Sequence, residues 1–197
     1  MSQLTFHFPD HKLWLDINET HDVVDLFREL QNKTNLKVLQ LSSAQVDRSN
    51  DDDDDDALET RFGRLKTDPF NELCEFVQAT ESLTSLSVFG NGFGARGVAK
   101  LVYAVMRNPR CGVLTRLNIA NNLIGSDGLV SLATLLSDRD VQLCDLDASG
   151  IEKPVGNGQP ERPLAALRGA AALGIALATN VRRFCVCVCV CVNLINV

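Results

Sequence analysis

Three parts of the sequence contain residues whose types and spacing could bind a cofactor or a metal ion. The segment GFGARG, residues 92–97, has the GxGxxG spacing of a dinucleotide-binding loop. Asp51, Asp53 and Asp55 alternate as the first ligands of a calcium loop do. Near the C-terminus four cysteines alternate with valines, at positions 185, 187, 189 and 191. What each pattern can do depends on the elements that carry it.

The glycine pattern is better explained by an internal repeat than by dinucleotide binding. The matching segment LIGSDG, residues 123–128, keeps only part of it, and no acidic residue lies about 20 positions on. The sequence has no GxSxG, GxxxxGK[ST] or HExxH motif. Its three histidines, at positions 7, 11 and 21, have no cysteine pair nearby. We therefore expect no self-contained active site and no cofactor.

The acidic run and the cysteine tail also fit metal sites poorly. The calcium frame needs glycine where Asp56 stands and glutamate where Phe62 stands. Alternate residues of a strand lie ~6.5 to 7 Å apart, too far for a disulfide and unlike the CxxC spacing of zinc sites. We predict no metal site and a solvated insertion over about 47–60, with an electrostatic contact to a basic partner as the alternative. The sequence leaves open whether the tail is the authentic C-terminus.

An internal repeat is the strongest signal in the sequence. Two ungapped segments, starting at Leu83 and Leu114, share the frame LxxLx[VI]xxNx[FI]xxxGxxxL. Weaker copies start at Leu36, Leu143 and Val181. Alternating apolar residues predict a short strand in each unit, and apolar residues at i, i+3, i+4 and i+7 predict a following helix. The predicted helix stripes are 23, 26, 27 and 30; 70, 73, 74 and 77; 98, 101, 102 and 105; and 129, 132, 133 and 136.

Such units must stack to bury their apolar faces, which predicts an α/β leucine-rich repeat solenoid. We expect a short horseshoe with a parallel sheet on the concave face and helices on the convex face. An N-terminal cap and first helix would occupy 1–35, the repeat array 36–183 and a low-complexity tail 184–197. Asn91 and Asn122 would cap backbone groups after their strands, and Gly97 and Gly128 would let the helices start close to the sheet.

Composition excludes several classes of function. The net charge is −6, but six acids form the run 51–56, and the rest of the chain carries 19 residues of each sign. This balance lacks the basic footprint of a nucleic-acid-binding protein. The N-terminus lacks the features of a signal peptide, and the apolar tail 184–192 is far shorter than the ~20 residues of a membrane span. We predict a cytoplasmic protein with free thiols at Cys74, Cys111 and Cys144, without membrane or nucleic-acid partners.

The concave face would present the residues between the buried leucines. These are Val38, Gln40, Ser85, Ser87, Phe89, Arg116, Asn118, Asp145, Asp147 and Arg183. Aromatic and arginine side chains dominate the energy of protein interfaces. We select Phe89, Arg116, Asn118, Asp145 and Asp147 as candidate contacts for a protein partner. The alternative is a merely solvated polar surface.

The unit length and helix stripes resemble the ribonuclease-inhibitor-like class of leucine-rich repeats, and about residues 12–136 resemble the Ran GTPase-activating protein family. The segment FGRLK, residues 62–66, is similar to that family's FxGRxKDE-type loop with one residue fewer, which makes Arg64 the counterpart of the loop arginine. The segment LNIANNLIG resembles its double-asparagine turn, with Asn121 and Asn122 as the pair. This chain has about five repeats instead of roughly twice that number, and its acidic run lies inside the array.

The resemblance implies a crescent that grips a small GTPase with loops on one rim. In that case Arg64 would stabilise charge on the transferred phosphoryl group and Asn121 would position a side chain. The resemblance also implies the nuclear envelope as a second cellular location of the protein, beside the cytoplasm. Alternatives remain beside it: Arg64 as a solvated loop residue, Asn122 as the capping asparagine of its repeat, and the whole chain as a non-catalytic scaffold for another protein.

Overall fold

A computed structural model describes residues 12–16, 30, 36–42, 68–150, 163–180 and 187–189. Six strands form one sheet in chain order, and each pairs in parallel with the next. They are β1 (Lys12–Asp16), β2 (Val38–Ser42), β3 (Ser85–Ser87), β4 (Arg116–Asn118), β5 (Asp145–Asp147) and β6 (Cys187–Cys189). The helices are α1 (Asp68–Ala79), α2 (Gly94–Arg107), α3 (Gly125–Ser137) and α4 (Pro163–Asn180), with a short 3-10 turn at Cys111–Val113.

The strand leucines form a continuous core beneath the sheet. Leu39 pairs with Leu86, Leu86 with Leu117, and Leu117 with Leu146, and all four are buried. Because each leucine stacks on its counterpart, one unit's apolar face is covered only by the next unit. Parallel strands alternating with helices confirm the predicted α/β solenoid.

The predicted apolar stripes face this core in the described helices. Phe70, Leu73 and Val77 of α1 are buried, and Cys74 is half-buried. The predicted stripes of α2 and α3 are buried completely, at 98, 101, 102 and 105 and at 129, 132, 133 and 136. Phe76, which the stripe of α1 had missed, is only 2% exposed. Of the predicted first helix, the structure describes Leu30, which is helical and buried; the other stripe positions 23–27 and the insertion 47–60 lie outside the described residues.

The last strand lies four residues later than predicted. The repeat frame placed Phe184 opposite Leu146, whereas Val188 occupies that position in the sheet. A sequence that alternates strictly between cysteine and valine presents the same pattern after any shift of two or four residues, so the frame could not fix the register. Cys187 therefore pairs with Asp145 at the position predicted for Arg183, and Arg183 itself lies outside the described residues.

Helix starts and helix contacts explain three of the glycines. A Cβ on Gly97 would lie 2.5 Å from Cβ of Phe93, and one on Gly128 would lie 2.6 Å from Cβ of Ile124. These glycines accommodate the residue four positions earlier, not the sheet as predicted. Gly169 of α4 serves a helix contact, because a Cβ there would lie 2.6 Å from the Ser126 carbonyl oxygen.

The outer side of α4 is unusually apolar. Leu167 is 55% exposed and Ile175 is 66% exposed, whereas Leu173 and Ala176 face the core. None of the helices in the described ranges combines the length and the hydropathy that crossing a bilayer requires.

Candidate functional site

The exposed face of the sheet carries two rows of side chains, which we call the concave rows. In the first row Val38, Ser85, Arg116 and Asp145 pair from strand to strand, and in the second row Gln40, Ser87, Asn118 and Asp147 do so. Arg116 and Asp145 are exposed, so the first row carries two adjacent charges of opposite sign. The structure thus gathers the predicted contact residues of β4 and β5 on one surface, and their role in binding stays a prediction.

Two of these candidates also terminate their strands. Asn118 Oδ1 accepts a hydrogen bond from the Ala120 N–H at 3.0 Å. Asp147 Oδ1 accepts one from the Ser149 N–H at 3.0 Å and another from the Ser149 hydroxyl at 2.8 Å. Both side chains are half-buried and held in place by these turns. Arg116 and Asp145 are therefore the better candidates for contacts to a partner.

The turns that follow the strands form one rim of this face. Gly90, Asn121 and Gly150 occupy the same position in successive units, with positive φ values of 71°, 57° and 67°. Asparagine tolerates this left-handed conformation better than most residues. Asn121 is exposed, and its side-chain oxygen lies over the backbone of Gly150, where a Cβ would collide with it. Phe89, 39% exposed, lies beside this turn because the Gly90 N–H donates to the Ala120 carbonyl at 2.9 Å.

A ladder of buried asparagines holds this rim rigid. The Asn122 side-chain amide donates to the carbonyls of Val88 and Ile119, both at 2.8 Å. Its Oδ1 accepts from the Asn91 N–H at 3.0 Å. Asn91 repeats the donor half of this arrangement one unit earlier, because its side-chain amide donates to the carbonyls of Leu41 at 3.0 Å and Val88 at 2.7 Å. The predicted caps are confirmed, and they also connect each unit to the previous one.

A second inter-unit cap was missing from the sequence-based prediction. The buried Asn108, just after α2, donates through Nδ2 to the carbonyls of Val77 at 2.7 Å and Thr80 at 2.6 Å. Both carbonyls lie at the C-terminal end of α1, where helix geometry leaves backbone carbonyls without intrahelical partners. No repeat pattern marks this asparagine, because Asp138 takes the same place after α3 and cannot donate.

The convex side holds a further group of residues that the sequence-based prediction did not single out. Tyr103 of α2 is 58% exposed, and the Arg107 guanidinium lies 5.4 Å from the centre of its ring. A groove of about 460 Å³ runs between α1 and α2, with Cys74 and Tyr103 among its lining residues. The only sequence signal was a set of polar residues at helical spacing.

The GTPase-activator hypothesis depends on Arg64, Asn121 and Asn122, and the structure describes the two asparagines. Arg64 and its loop lie outside the described residues, so their geometry relative to the rim is not tested. Asn121 lies exposed on the rim, and Asn122 is fully buried in the ladder. Of that predicted pair, only Asn121 has an exposed side chain.

Cys74, Cys111 and Cys144 differ in exposure and in acidity. Burial raises the pKa of the Cys74 thiol to about 12, although the nearby Lys100 charge lowers it in part. Burial and then the charges of Asp138 and Asp140 raise the pKa of Cys111. Cys144 is exposed on the surface. Since the thiolate is the reactive form, Cys74 and Cys111 should be unreactive near neutral pH.

Alkylation kinetics should reproduce this order. We expect iodoacetamide at pH 8 to modify Cys144 at least about tenfold faster than Cys74 or Cys111, because the buried thiols are protonated and shielded. Peptide mass mapping over time measures each rate. In urea the three rates should converge, and equal rates in the native chain would contradict the placement of these residues.

Comparison with known proteins identifies the repeats. A leucine-rich repeat family model matches residues 81–102 and 111–133. The chain is similar in structure to actin-binding site 2 of leiomodin-1, with a TM-score of 0.51 and 16% sequence identity over 87% of this chain and 83% of that chain. No curated protein matches the sequence significantly. The matched repeats and the parallel sheet with its alternating helices show that the chain contains leucine-rich repeats stacked as an α/β solenoid.

Proposed function

We propose that this chain is a non-catalytic binding module that holds a protein partner against the concave rows and the adjoining rim. The observation that carries the proposal is the exposure of Phe89, Arg116 and Asp145 along one side of the sheet. Arginine and aromatic side chains are the residue types that contribute most to protein interfaces. The asparagine ladder supports the proposal because it fixes the rim before the partner arrives, which lowers the entropic cost of binding.

The charges along the sheet indicate what the partner must offer. Ser85 and Ser87 of β3 are neutral, β4 contributes Arg116, and β5 contributes the carboxylates Asp145 and Asp147. A complementary partner places an acidic group near β4, a basic group near β5 and an apolar recess over Phe89. Such a partner would meet this chain in the cytoplasm.

The experiment is affinity capture from cell extract with two matched double variants. Phe89→Ser/Arg116→Glu removes an apolar side chain and reverses a charge on the concave side. Leu167→Ser/Arg168→Glu makes the same changes on α4, where both residues are exposed. We expect the concave variant to capture at least about tenfold less partner than the parent, and the α4 variant to capture as much as the parent.

Purified actin is a suitable first partner to test beside the extract. The structurally similar domain is named as an actin-binding site of leiomodin-1. At 16% identity this similarity concerns the fold, so actin enters as a probe. Binding of actin that both double variants retain would contradict a concave contact.

A small-GTPase activator is the second candidate, favoured by the FGRLK segment and by the exposed Asn121 on the rim. It predicts that the chain accelerates single-turnover GTP hydrolysis by a Ran-type GTPase, and that Arg64→Ala and Asn121→Ala each reduce the acceleration. Circular dichroism establishes that each sample is folded. A folded chain that binds a partner and leaves hydrolysis unchanged favours the scaffold.

A further inference from the structure

The outer face of α2 carries a line of basic residues around one tyrosine. Arg96, Lys100, Tyr103 and Arg107 are all exposed and follow one another at i, i+4, i+7 and i+11. This spacing places them on one side of the helix over about 16 Å. We propose that this line, the α2 basic stripe, binds an acidic peptide segment of a partner protein. The stripe lies on the opposite side of the sheet from the concave rows.

The stripe combines charge with an aromatic anchor. Tyr103 is 58% exposed and stacks beneath the Arg107 guanidinium at 5.4 Å. At the matching position of α3 the chain has Thr134, so the repeat itself does not require an aromatic residue there. No aspartate or glutamate occurs within α2. Lys100 and Arg107 thus project from a helix that supplies no neutralising acid of its own.

The groove beside the stripe adds a place for an apolar side chain. It runs between α1 and α2, measures about 460 Å³ and is lined by Cys74, Gln78, Lys100, Tyr103 and Ala104, among others. Burial raises the pKa of the Cys74 thiol, and the Lys100 charge is close enough to offset part of that rise. A peptide that places carboxylates on the stripe can therefore insert a leucine-sized side chain beside Tyr103.

The flanking helices select a narrow ligand. Glu75 of α1 lines the same groove, and Asp127 and Asp138 belong to α3 and its C-terminal end. A membrane surface or a nucleic-acid duplex is broad enough to approach these carboxylates as well as the stripe. The carboxylates would then repel the negative charges of the membrane or duplex. A single extended peptide contacts only α2 and the groove beside it.

Fluorescence anisotropy with a labelled synthetic peptide, an aspartate chain interrupted by one leucine, tests the proposal. It is measured on the full chain and on a chain whose aspartates 51–56 are all changed to asparagine, so that the chain's own acidic run cannot mask the stripe. We expect saturable binding to at least one of these chains. Raising NaCl from about 50 to about 300 mM should weaken it severalfold, since exposed charges are then screened. No binding to either chain overturns the proposal.

Matched variants locate the site. Tyr103→Ser/Arg107→Glu should weaken peptide binding about tenfold, and Lys100→Glu alone should weaken it severalfold. Leu167→Ser/Arg168→Glu and the concave variant Phe89→Ser/Arg116→Glu should bind the peptide as the parent does, with circular dichroism showing that all are folded. Equal loss in stripe and control variants overturns the proposal, as does binding to phosphatidylserine vesicles in place of the peptide. Because the stripe and the concave rows are tested by separate variants, either proposal can fail alone.

Discussion

Replacing Asn122 with alanine is expected to lower the free energy of unfolding by roughly 3 to 4 kcal/mol. The substitution removes the amide donor to the Val88 and Ile119 carbonyls and the oxygen that accepts from the Asn91 N–H. The Val88 carbonyl keeps the Asn91 side-chain amide as a donor at 2.7 Å, so the Ile119 carbonyl and the Asn91 N–H are the groups that lose this partner. Each buried backbone group left without a partner costs about 1–3 kcal/mol. The loss also weakens the connection between two units, so the unfolding transition should broaden. Urea denaturation followed by circular dichroism measures both effects.

The neighbouring residue provides the control. Asn121→Gly changes the same residue type at an exposed position whose φ of 57° suits glycine, which already occurs there in the adjacent units as Gly90 and Gly150. We expect a change within about 1 kcal/mol in either direction. A loss for Asn121→Gly as large as that for Asn122→Ala would contradict the ladder as the source of stability.

Two glycines of α4 should respond to alanine with opposite signs. At Gly169 a new Cβ would lie 2.6 Å from the Ser126 carbonyl oxygen and 2.9 Å from Cβ of Leu129, so α4 would have to move away from α3. We expect Gly169→Ala to destabilise the chain by about 2 kcal/mol, the usual scale for overpacking. Gly174 has no heavy atom within 4 Å of the corresponding position, so there alanine should add up to about 1 kcal/mol of helix stability.

Thermal unfolding of the two variants compares them directly. The melting temperature should fall for Gly169→Ala and rise for Gly174→Ala. A rise in both would show that α4 does not pack closely on Ser126. A fall in both would show that the exposed side of α4 is covered by some other part of the protein.

The units starting at Leu83 and Leu114 were predictable because their buried positions repeat. Leu86 stacks on Leu117, and every unit must bury its apolar residues in the same way. The spacing of apolar residues was therefore enough to predict the strand, the helix and the core positions of each unit. The frame also found the asparagine ladder, since Asn91 and Asn122 sit at the same place in it. The ribonuclease-inhibitor-like subclass remains a prediction.

The features that were missed depend on contacts between units or on a surface. Asn108 caps α1 from 28 to 31 residues away, a relationship that no local pattern reveals. The register of β6 could not be chosen because Val188 and its neighbours repeat every two residues. The α2 basic stripe was overlooked because charged residues on the outer face of an amphipathic helix usually serve only solubility. Exposure of Tyr103 at 58% distinguishes it, and exposure is not visible in a sequence.

The most direct test of the central claim is the ratio of partner captured by two chains, Phe89→Ser/Arg116→Glu and Leu167→Ser/Arg168→Glu, each normalised to the parent. Binding through the concave rows predicts a ratio of about one to ten or lower, with the α4 variant equal to the parent. A ratio near one, with both variants folded, would show that the partner is held elsewhere and would contradict the concave face as the binding site.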